Sequence, residues 1–325
     1  MDPNEARQLV IMGTGGTIAG RAAQAGDNVG YVAAQVGVGD LVAAVPALAG
    51  LSLEVEQVAQ IDSKDMGLPV WQALARRLAL HLERPEVSAV VVTHGTDTLE
   101  ETAFVLQRLL QPNKPVVLTC AMRPASALVP DGPQNLSDAV SVARQMREGG
   151  VFVVCAGQVH GALEVAKVHT YRLDAFDSGE AGPIACVEEG CVRRFRAETP
   201  VSGRATRDEA ALSRFLAARE LPRVELVTSH ADAGGDLVRA LVAQGHEGAT
   251  RPLRGIVVAG TGNGSVHEAL TAAVNEARSR GVRVVLSSRC PQGRVVPHPG
   301  LVFDHSAGLS PVKARLALAL ELLER

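Results

Sequence analysis

The sequence predicts an α/β fold made of two α/β domains with mostly parallel sheets, a larger N-terminal domain and a smaller C-terminal one. Short, fully apolar runs typical of buried strands alternate with longer segments of helical periodicity in both halves. Some of these runs end directly in turns rich in glycine and threonine, as strands do at the ligand-binding edge of an open α/β sheet. With 325 residues, 46% of them hydrophobic, the chain is long enough for two domains.

Charge and composition exclude several classes of protein. The formal net charge is −3 with both signs spread along the chain, so no basic surface for nucleic acid or for a membrane is expected. We find neither a signal-peptide pattern at the N-terminus nor a run of about 18 apolar residues. We therefore expect a cytoplasmic protein, or a periplasmic one if a signal peptide has been removed. The five cysteines lack metal-site spacing and are expected to be reduced thiols.

The N-terminal domain is predicted to cover residues 1–193. Its predicted strands are residues 9–12, 53–58, 89–92, 115–119 and 151–155. Its predicted helices are residues 40–45, 69–82, 98–110 with Asp97 as the cap, and 135–147. Residues 21–39 are predicted to form a long loop, and residues 157–168 a hairpin that carries Lys167.

The C-terminal domain is predicted to cover residues 222–325, after a linker of residues 194–221 where the alternation of strands and helices weakens. Its predicted strands are residues 224–227, 256–258 and 282–286. Its predicted helices are residues 237–243, 266–278 and 311–323.

The known cofactor and hydrolase motifs are absent. The glycine run that starts at Gly13 has Ile18 where a dinucleotide fingerprint needs its third glycine, and the run that starts at Gly260 has Ser265 there. No P-loop, no HExxH zinc motif and no GxSxG serine elbow occurs. We expect neither a cofactor nor a metal.

Two turns of the same kind follow buried strands, one around Thr14 and one around Thr96 and Asp97. In a parallel sheet both turns fall on one edge, within reach of one ligand. The N–H groups of the flanking glycines could hold an oxyanion; these glycines are Gly13, Gly15 and Gly95. A threonine hydroxyl with no chemistry beyond bonding its own turn is the alternative.

A threonine nucleophile needs a group that takes its proton. Tyr31, in the long loop, and Lys167, on the predicted hairpin, are the candidates. Lysine acts as a base only when burial leaves it neutral. The residues alone leave other interpretations open: Asp97 as only a helix cap, and Lys167 as only an edge-strand lysine.

Several runs resemble the signatures of bacterial-type L-asparaginases, in the same order and over nearly the whole chain. The first two runs are Thr14-Gly15-Gly16-Thr17-Ile18-Ala19-Gly20 and Thr93-His94-Gly95-Thr96-Asp97-Thr98. Between them, Asp62-Ser63-Lys64-Asp65-Met66 is similar to that family's substrate-binding turn. Further landmarks are Ala121-Met122-Arg123-Pro124, Asp131-Gly132-Pro133, Gly262-Asn263-Gly264 and Ser287-Ser288-Arg289.

The resemblance implies a mechanism. Thr14 would attack the side-chain amide of L-asparagine to form a β-aspartyl ester, with Tyr31 beside it. Thr96, Lys167 and Asp97 would form a second triad, and Thr96 competes with Thr14 for the role of nucleophile. Ser63 would bind the substrate's α-carboxylate, and Asp97 its α-amino group. Asn263 would also bind the substrate.

Lys64 is a departure from the family pattern, because many members carry glutamine or glutamate after the substrate serine. Either Lys64 points away from the site or it contacts the α-carboxylate. The resemblance also implies a homo-oligomer, a tetramer built as a dimer of dimers. The alternatives are a glutaminase-asparaginase that also takes L-glutamine, another amidase, or a non-catalytic amino-acid sensor.

Overall fold

In the computed structural model, which describes residues 8–24, 26–196, 208–245 and 250–323, the chain divides into two units, Met1–Leu212 and Ser213–Arg325. The division falls within the predicted linker of residues 194–221. The linker contains a helix, Glu209–Ala217, that the sequence did not predict, and residues 197–207 lie outside the described residues. Each unit has its own sheet, and the prediction of two α/β domains is confirmed.

The first unit contains twelve strands and four helices in its described residues. Its strands are β1 (Gln8–Gly15), β2 (Arg21–Ala22), β3 (Tyr31–Val32), β4 (Leu53–Ile61), β5 (Val87–Thr93), β6 (Pro115–Thr119), β7 (Gly150–Cys155), β8 (Gln158–Gly161), β9 (Ala166–Lys167), β10 (Phe176–Asp177), β11 (Ala185–Glu188) and β12 (Cys191–Arg194). Its helices are α1 (Val38–Ala43), α2 (Leu68–Glu83), α3 (Leu99–Leu110) and α4 (Gly132–Gln145).

The main sheet has eight strands in the order β12-β11-β8-β7-β6-β5-β1-β4. The five strands from β4 to β7 are parallel, and the three from β8 to β12 are antiparallel. Strand β5 is almost completely buried, because helices and loops cover both faces of the parallel part. Parallel pairing places the ends of β1 and β5 side by side, with Gly13 opposite Thr93.

Three local predictions for this unit were wrong. Asp97 does not cap α3: Thr98 occupies the N-cap position without a side-chain bond, and the Asp97 carboxylate pairs with Lys167 instead. Residues 21–39 are not a structureless loop, because β2 pairs with β3 and α1 begins at Val38. The segment with Lys167 is not one hairpin: β8 pairs with β7, whereas β9 pairs with β10.

The second unit is smaller and has a four-stranded parallel sheet in the order β13-β14-β15-β16. Its strands are β13 (Arg223–Thr228), β14 (Leu253–Gly260), β15 (Arg283–Ser288) and β16 (Asp304–His305). The helix at the division is α5 (Glu209–Ala217), and the following helices are α6 (Asp236–Gln244), α7 (Glu268–Ser279) and α8 (Pro311–Leu323). None of the helices in the described ranges is long and apolar enough to cross a membrane.

Candidate active site

The predicted meeting of two turns at one sheet edge is confirmed. The turn after β1 contains Gly15 and Gly16, both with positive φ. Gly16 lies directly against Gly95, in the turn after β5, and a Cβ atom on Gly16 would overlap the Gly95 backbone. Only glycine allows this approach together with a φ of 81°.

Thr14 is a buried residue of the sheet. It lies within β1, where the register against β4 shifts between Gly13 and Gly15, and its side chain is 1% exposed. The Thr14 hydroxyl donates a hydrogen bond to the carbonyl oxygen of Thr93 over 3.0 Å. The proton of this hydroxyl is therefore already used in a hydrogen bond inside the sheet.

The predicted binding residues Gly13 and Gly15 also belong to the strand. A Cβ atom on Gly13 would stand 2.8 Å from the amide nitrogen of Gln57, and one on Gly15 would stand 2.5 Å from the carbonyl oxygen of Ile61. Both glycines therefore pack against β4 and its end. The glycine that contacts the second turn is Gly16, and its N–H donates to the Ile61 carbonyl.

Thr17, which sequence reasoning did not select, carries the hydroxyl that Tyr31 contacts. The two hydroxyl oxygens are 2.6 Å apart. Thr17 opens the short 3₁₀ turn Thr17–Ala19 immediately after the glycine pair. The two positive-φ glycines were the available signal, because a residue that follows them leaves the strand, whereas Thr14 precedes them.

Tyr31 is held at this position by the structure around β2 and β3. Its ring lies against Gly20, where a Cβ atom would stand 2.7 Å from a ring carbon. Downstream of β3, the N–H of Ala34 donates to the carbonyl of Gly16, which ties the segment to the glycine turn. Upstream, the N–H of Ala22 donates to the Ser126 hydroxyl.

Thr96, Asp97 and Lys167 form a hydrogen-bonded group. The Lys167 Nζ donates to Thr96 Oγ1 over 2.8 Å and to Asp97 Oδ1 over 2.7 Å. The Thr96 hydroxyl lies 3.5 Å from the same Asp97 oxygen. Lys167 comes from β9, 70 residues along the chain from Asp97, so only the fold joins them. In both contacts Lys167 is the donor, to a hydroxyl and to a carboxylate oxygen.

Ser63 joins the group from a third element, the 3₁₀ turn Ser63–Asp65 after β4. Its hydroxyl accepts a hydrogen bond from the N–H of Asp97 over 3.1 Å, and its carbonyl accepts from the Thr98 hydroxyl. Gly95 allows this contact, because a Cβ atom there would stand 2.5 Å from the Ser63 hydroxyl. Ser63 is 3% exposed and lies at the meeting point of both turns.

Lys64 is engaged by its own neighbours. Its ammonium donates to Asp62 over 2.7 Å and to Asp65 over 3.1 Å, and the side chain is 61% exposed. These two carboxylates raise the pKa of Lys64 above its usual value through hydrogen bonds. The ion pairs hold the ammonium among the residues of its own turn.

Asn263 lies in the second unit, and both ends of its side-chain amide form a hydrogen bond there. Its Nδ2 donates to the carbonyl of Val296 over 3.0 Å, and its Oδ1 accepts from the N–H of Val296 over 2.7 Å. This bidentate contact pins a loop to the Gly262-Asn263-Gly264 turn. Both bonds give Asn263 a structural role within its own unit.

His94 directly precedes Gly95 in the turn after β5, and its side chain is completely buried. Its Nδ1 lies 2.7 Å from the carbonyl oxygen of Gly95, and its Nε2 lies 2.9 Å from the hydroxyl of Thr102. Burial lowers the pKa of His94 to about 4, so the ring is neutral near pH 7. The described ranges contain no group of three or more His, Cys, Asp or Glu side chains placed to hold a metal ion.

The cysteines are all free thiols, as expected from their spacing. Cys120 and Cys155 are buried near the ends of β6 and β7, and the pKa of Cys120 is raised by its contact with Cys155 and by burial. A raised pKa keeps a thiol protonated and unreactive. The Cys120 thiol is therefore a poor candidate for a nucleophile.

Comparison with known proteins agrees with this arrangement. Residues 8–199 match the family model "Asparaginase, N-terminal", and residues 223–324 match "Glutaminase/Asparaginase C-terminal domain". L-asparaginase 2 of Escherichia coli is 35% identical over 97% of this chain and 89% of its own length. The glutaminase-asparaginase of Pseudomonas fluorescens is 35% identical over 97% of this chain and 86% of its own length.

A solved structure supports the fold as well. The probable cytoplasmic L-asparaginase from Campylobacter jejuni superposes with a TM-score of 0.88 at 34% identity, covering 98% of this chain and 96% of that one. Both domain models match in order and together cover most of the sequence. The chain therefore belongs to the asparaginase family of amidohydrolases.

Proposed function

We propose that this protein is an L-asparaginase that hydrolyses L-asparagine to L-aspartate and ammonia through a threonine-linked β-aspartyl ester. The observation that carries the proposal is the pairing of Thr17 with Tyr31, 2.6 Å apart, next to the Thr96–Lys167–Asp97 group. The contact of Gly16 with Gly95 brings the two hydroxyl-bearing turns together. Two hydroxyls and a carboxylate at one edge suit a small amide with charged ends.

The nucleophile in this proposal is Thr17 and not Thr14. A nucleophilic hydroxyl needs a partner that takes its proton and an open path to the substrate. Thr17 has Tyr31 as that partner. Thr14 lies inside the sheet, and its hydroxyl donates to a backbone carbonyl, which cannot serve as a base.

The reaction has two steps. The Thr17 oxygen attacks the side-chain amide carbon, its proton passes through Tyr31 to the departing nitrogen, and ammonia leaves an ester behind. Water then attacks the ester, and the proton that it gives up returns to the Thr17 oxygen as aspartate is released. No cofactor takes part in either step.

The group formed by Thr96, Asp97 and Lys167, together with Ser63, binds the substrate and polarises it. Lys167, as an ammonium held by Asp97, donates to the Thr96 hydroxyl. The Thr96 hydroxyl donates to Asp97 only over 3.5 Å, so this long bond can be exchanged for one to the substrate. Asp97 keeps a half-exposed carboxylate that can accept from the α-ammonium of the substrate. Ser63, held at the same point, can donate its hydroxyl proton to the α-carboxylate.

L-glutamine is the second candidate substrate, because a relative of comparable identity is a glutaminase-asparaginase. Steady-state ammonia release from L-asparagine and L-glutamine by the purified protein separates the two. We expect release from asparagine with the higher kcat/KM. Aspartate binding with no ammonia release from any amide would contradict the proposal and indicate a sensor.

We further propose that the protein is a homotetramer, a dimer of dimers, in the cytoplasm. The tetramer is inferred from the resemblance of the sequence to bacterial-type L-asparaginases. The location is supported by the name of the Campylobacter jejuni relative, a probable cytoplasmic L-asparaginase. Light scattering after size-exclusion chromatography tests the assembly, with a mass of four 34.0 kDa chains expected.

A further inference from the structure

A chain of three buried side chains leads from the body of the first unit to the turn that carries Thr96. The indole Nε1 of Trp71, on α2, lies 2.9 Å from the hydroxyl of Thr102 on α3. The same hydroxyl lies 2.9 Å from Nε2 of His94, whose Nδ1 lies 2.7 Å from the carbonyl oxygen of Gly95. All three side chains are at most 6% exposed.

The direction of each hydrogen bond in this chain is determined by chemistry. An indole N–H can only donate, so the Thr102 oxygen accepts from Trp71 and directs its own proton elsewhere. The remaining neighbour of that hydroxyl is Nε2 of His94, which accepts the proton. The Gly95 carbonyl can only accept, so Nδ1 of His94 carries the ring proton and donates. The neutral ring with a proton on Nδ1 satisfies both contacts.

The end point of this chain is the peptide that joins Gly95 to Thr96. Gly95 has no side chain to restrict it, and it is packed between Gly16 and the Ser63 hydroxyl. A hydrogen bond to the Gly95 carbonyl restricts rotation of this peptide plane. The orientation of the plane in turn determines where the Cα and Cβ atoms of Thr96 lie. The Thr96 hydroxyl must in turn stand 2.8 Å from the Lys167 ammonium.

We propose that Thr102 and Trp71 are positioning residues, which hold the Gly95–Thr96 peptide through His94 and so keep the Thr96 hydroxyl aligned with Lys167. None of the three touches the reacting atoms; each acts through the next. The inference rests on the proposed function, because Thr96 is assigned there to the polarisation of the substrate.

The test compares Thr102→Val with Thr102→Ser. Valine keeps the shape and the β-branch but removes the hydroxyl, whereas serine keeps the hydroxyl. We expect Thr102→Val to lower kcat for asparagine by roughly ten- to a hundredfold with KM within about twofold, and Thr102→Ser to restore most of kcat. Equal kcat for the valine variant and the wild type would overturn the inference.

A second variant distinguishes positioning from a loss of stability alone. Leu110→Ala, two helical turns further along α3, empties part of the core without touching the His94 chain. We expect Leu110→Ala to lower the melting temperature and leave kcat near wild type below that temperature. If Leu110→Ala lowers kcat as much as Thr102→Val does at matched stability, the role is structural only and the inference fails.

The state of the His94 ring provides a readout independent of activity. Nitrogen-15 NMR of histidine-labelled full-length protein should show His94 with its proton on Nδ1 at pH 7. In Thr102→Val, Nε2 loses its donor, and we expect the populations of the two ring tautomers to change. A wild-type His94 with its proton on Nε2 would overturn the inference, whereas absent ammonia release with the expected ring state would overturn only the proposed function.

Discussion

The backbone of Gly16 lies directly against that of Gly95. A Cβ atom on Gly95 would stand 3.0 Å from the Cα of Gly16, and one on Gly16 would overlap the Gly95 backbone. Each glycine precedes a threonine, Thr17 in one turn and Thr96 in the other. This contact sets the distance between the two hydroxyl-bearing turns.

Substitution of Gly16 by alanine should damage both folding and activity. Alanine would have to adopt a φ of 81° and push Gly95 away. We expect a loss of at least about 2 kcal/mol in the free energy of unfolding, measured in urea, and a large fall in kcat because Thr17 and Thr96 move apart.

Gly39 offers the matched control for this substitution. A Cβ atom there meets nothing within 4 Å, and Gly39 lies in the short helix α1. Gly39→Ala should therefore leave kcat unchanged and raise stability by up to about 1 kcal/mol. Wild-type stability and activity in Gly16→Ala would contradict the importance of the Gly16–Gly95 contact.

Removal of the Lys167 charge should affect chemistry more than substrate binding. Lys167→Gln removes the positive charge that pairs with Asp97 and shortens the side chain that donates to Thr96. We expect kcat to fall by about a hundredfold or more in ammonia-release assays. Arg172→Gln, which breaks an exposed ion pair with Asp174 in the following segment, is the control and should change kcat little. A Lys167→Gln variant with normal kcat would exclude the Thr96 group from turnover.

Stability should decrease as pH falls below about 6.5, because His94 and His160 are buried as neutral rings. Burial lowers the pKa of each to about 4, below the ordinary value of 6.5. A group whose pKa is lower in the folded state contributes stability at pH values above its pKa in the unfolded state. This stability is lost as the pH falls toward its pKa in the folded state. Between pH 7 and pH 5 each histidine should cost about 2 kcal/mol of unfolding free energy.

His160→Asn isolates the contribution of one of these rings. The His160 ring bonds the Ser178 hydroxyl, and Ser178 has no part in the proposed reaction. The loss of stability from pH 7 to pH 5, measured by urea denaturation, should be about 2 kcal/mol smaller in this variant than in the wild type. Identical losses in both proteins would show that His160 is not held neutral.

Most of the fold could be predicted from the sequence, because buried parallel strands leave uninterrupted apolar runs. Strand β6 matches its predicted bounds, residues 115–119, as does α8, residues 311–323. Strands β11 and β12 were not predicted, because each has only four residues and most of these residues are partly or fully exposed. Helix α5 was missed for a similar reason, since it lies in a segment rich in Arg, Glu and Ala.

The candidate site could be predicted in part. The runs around Thr96 and Ser63 identified residues that do meet, because each follows a strand of the same sheet. We selected Thr14 from the sequence, and our proposal of Thr17 instead depends on where the strand ends, which the positive φ of Gly15 and Gly16 marks. The pairing of Asp97 with Lys167 could not be predicted from local sequence, because Lys167 lies on β9, which pairs with β10 and not with the preceding strand.

The assignment of the nucleophile is the central claim, and Thr17→Ala with Thr14→Val tests it. Thr17→Ala removes the hydroxyl that contacts Tyr31, whereas Thr14→Val removes only the bond to the Thr93 carbonyl. Both variants are first checked for a cooperative melting transition. Ammonia release from L-asparagine then gives kcat for each.

Rapid quenching during turnover, followed by mass spectrometry of the N-terminal peptides, locates the aspartyl ester directly. We predict the added aspartyl mass on Thr17 in the wild type, a loss of at least about a thousandfold in kcat for Thr17→Ala, and kcat within a few fold of wild type for Thr14→Val. An ester on Thr14, or an active Thr17→Ala beside an inactive, folded Thr14→Val, would contradict the assignment.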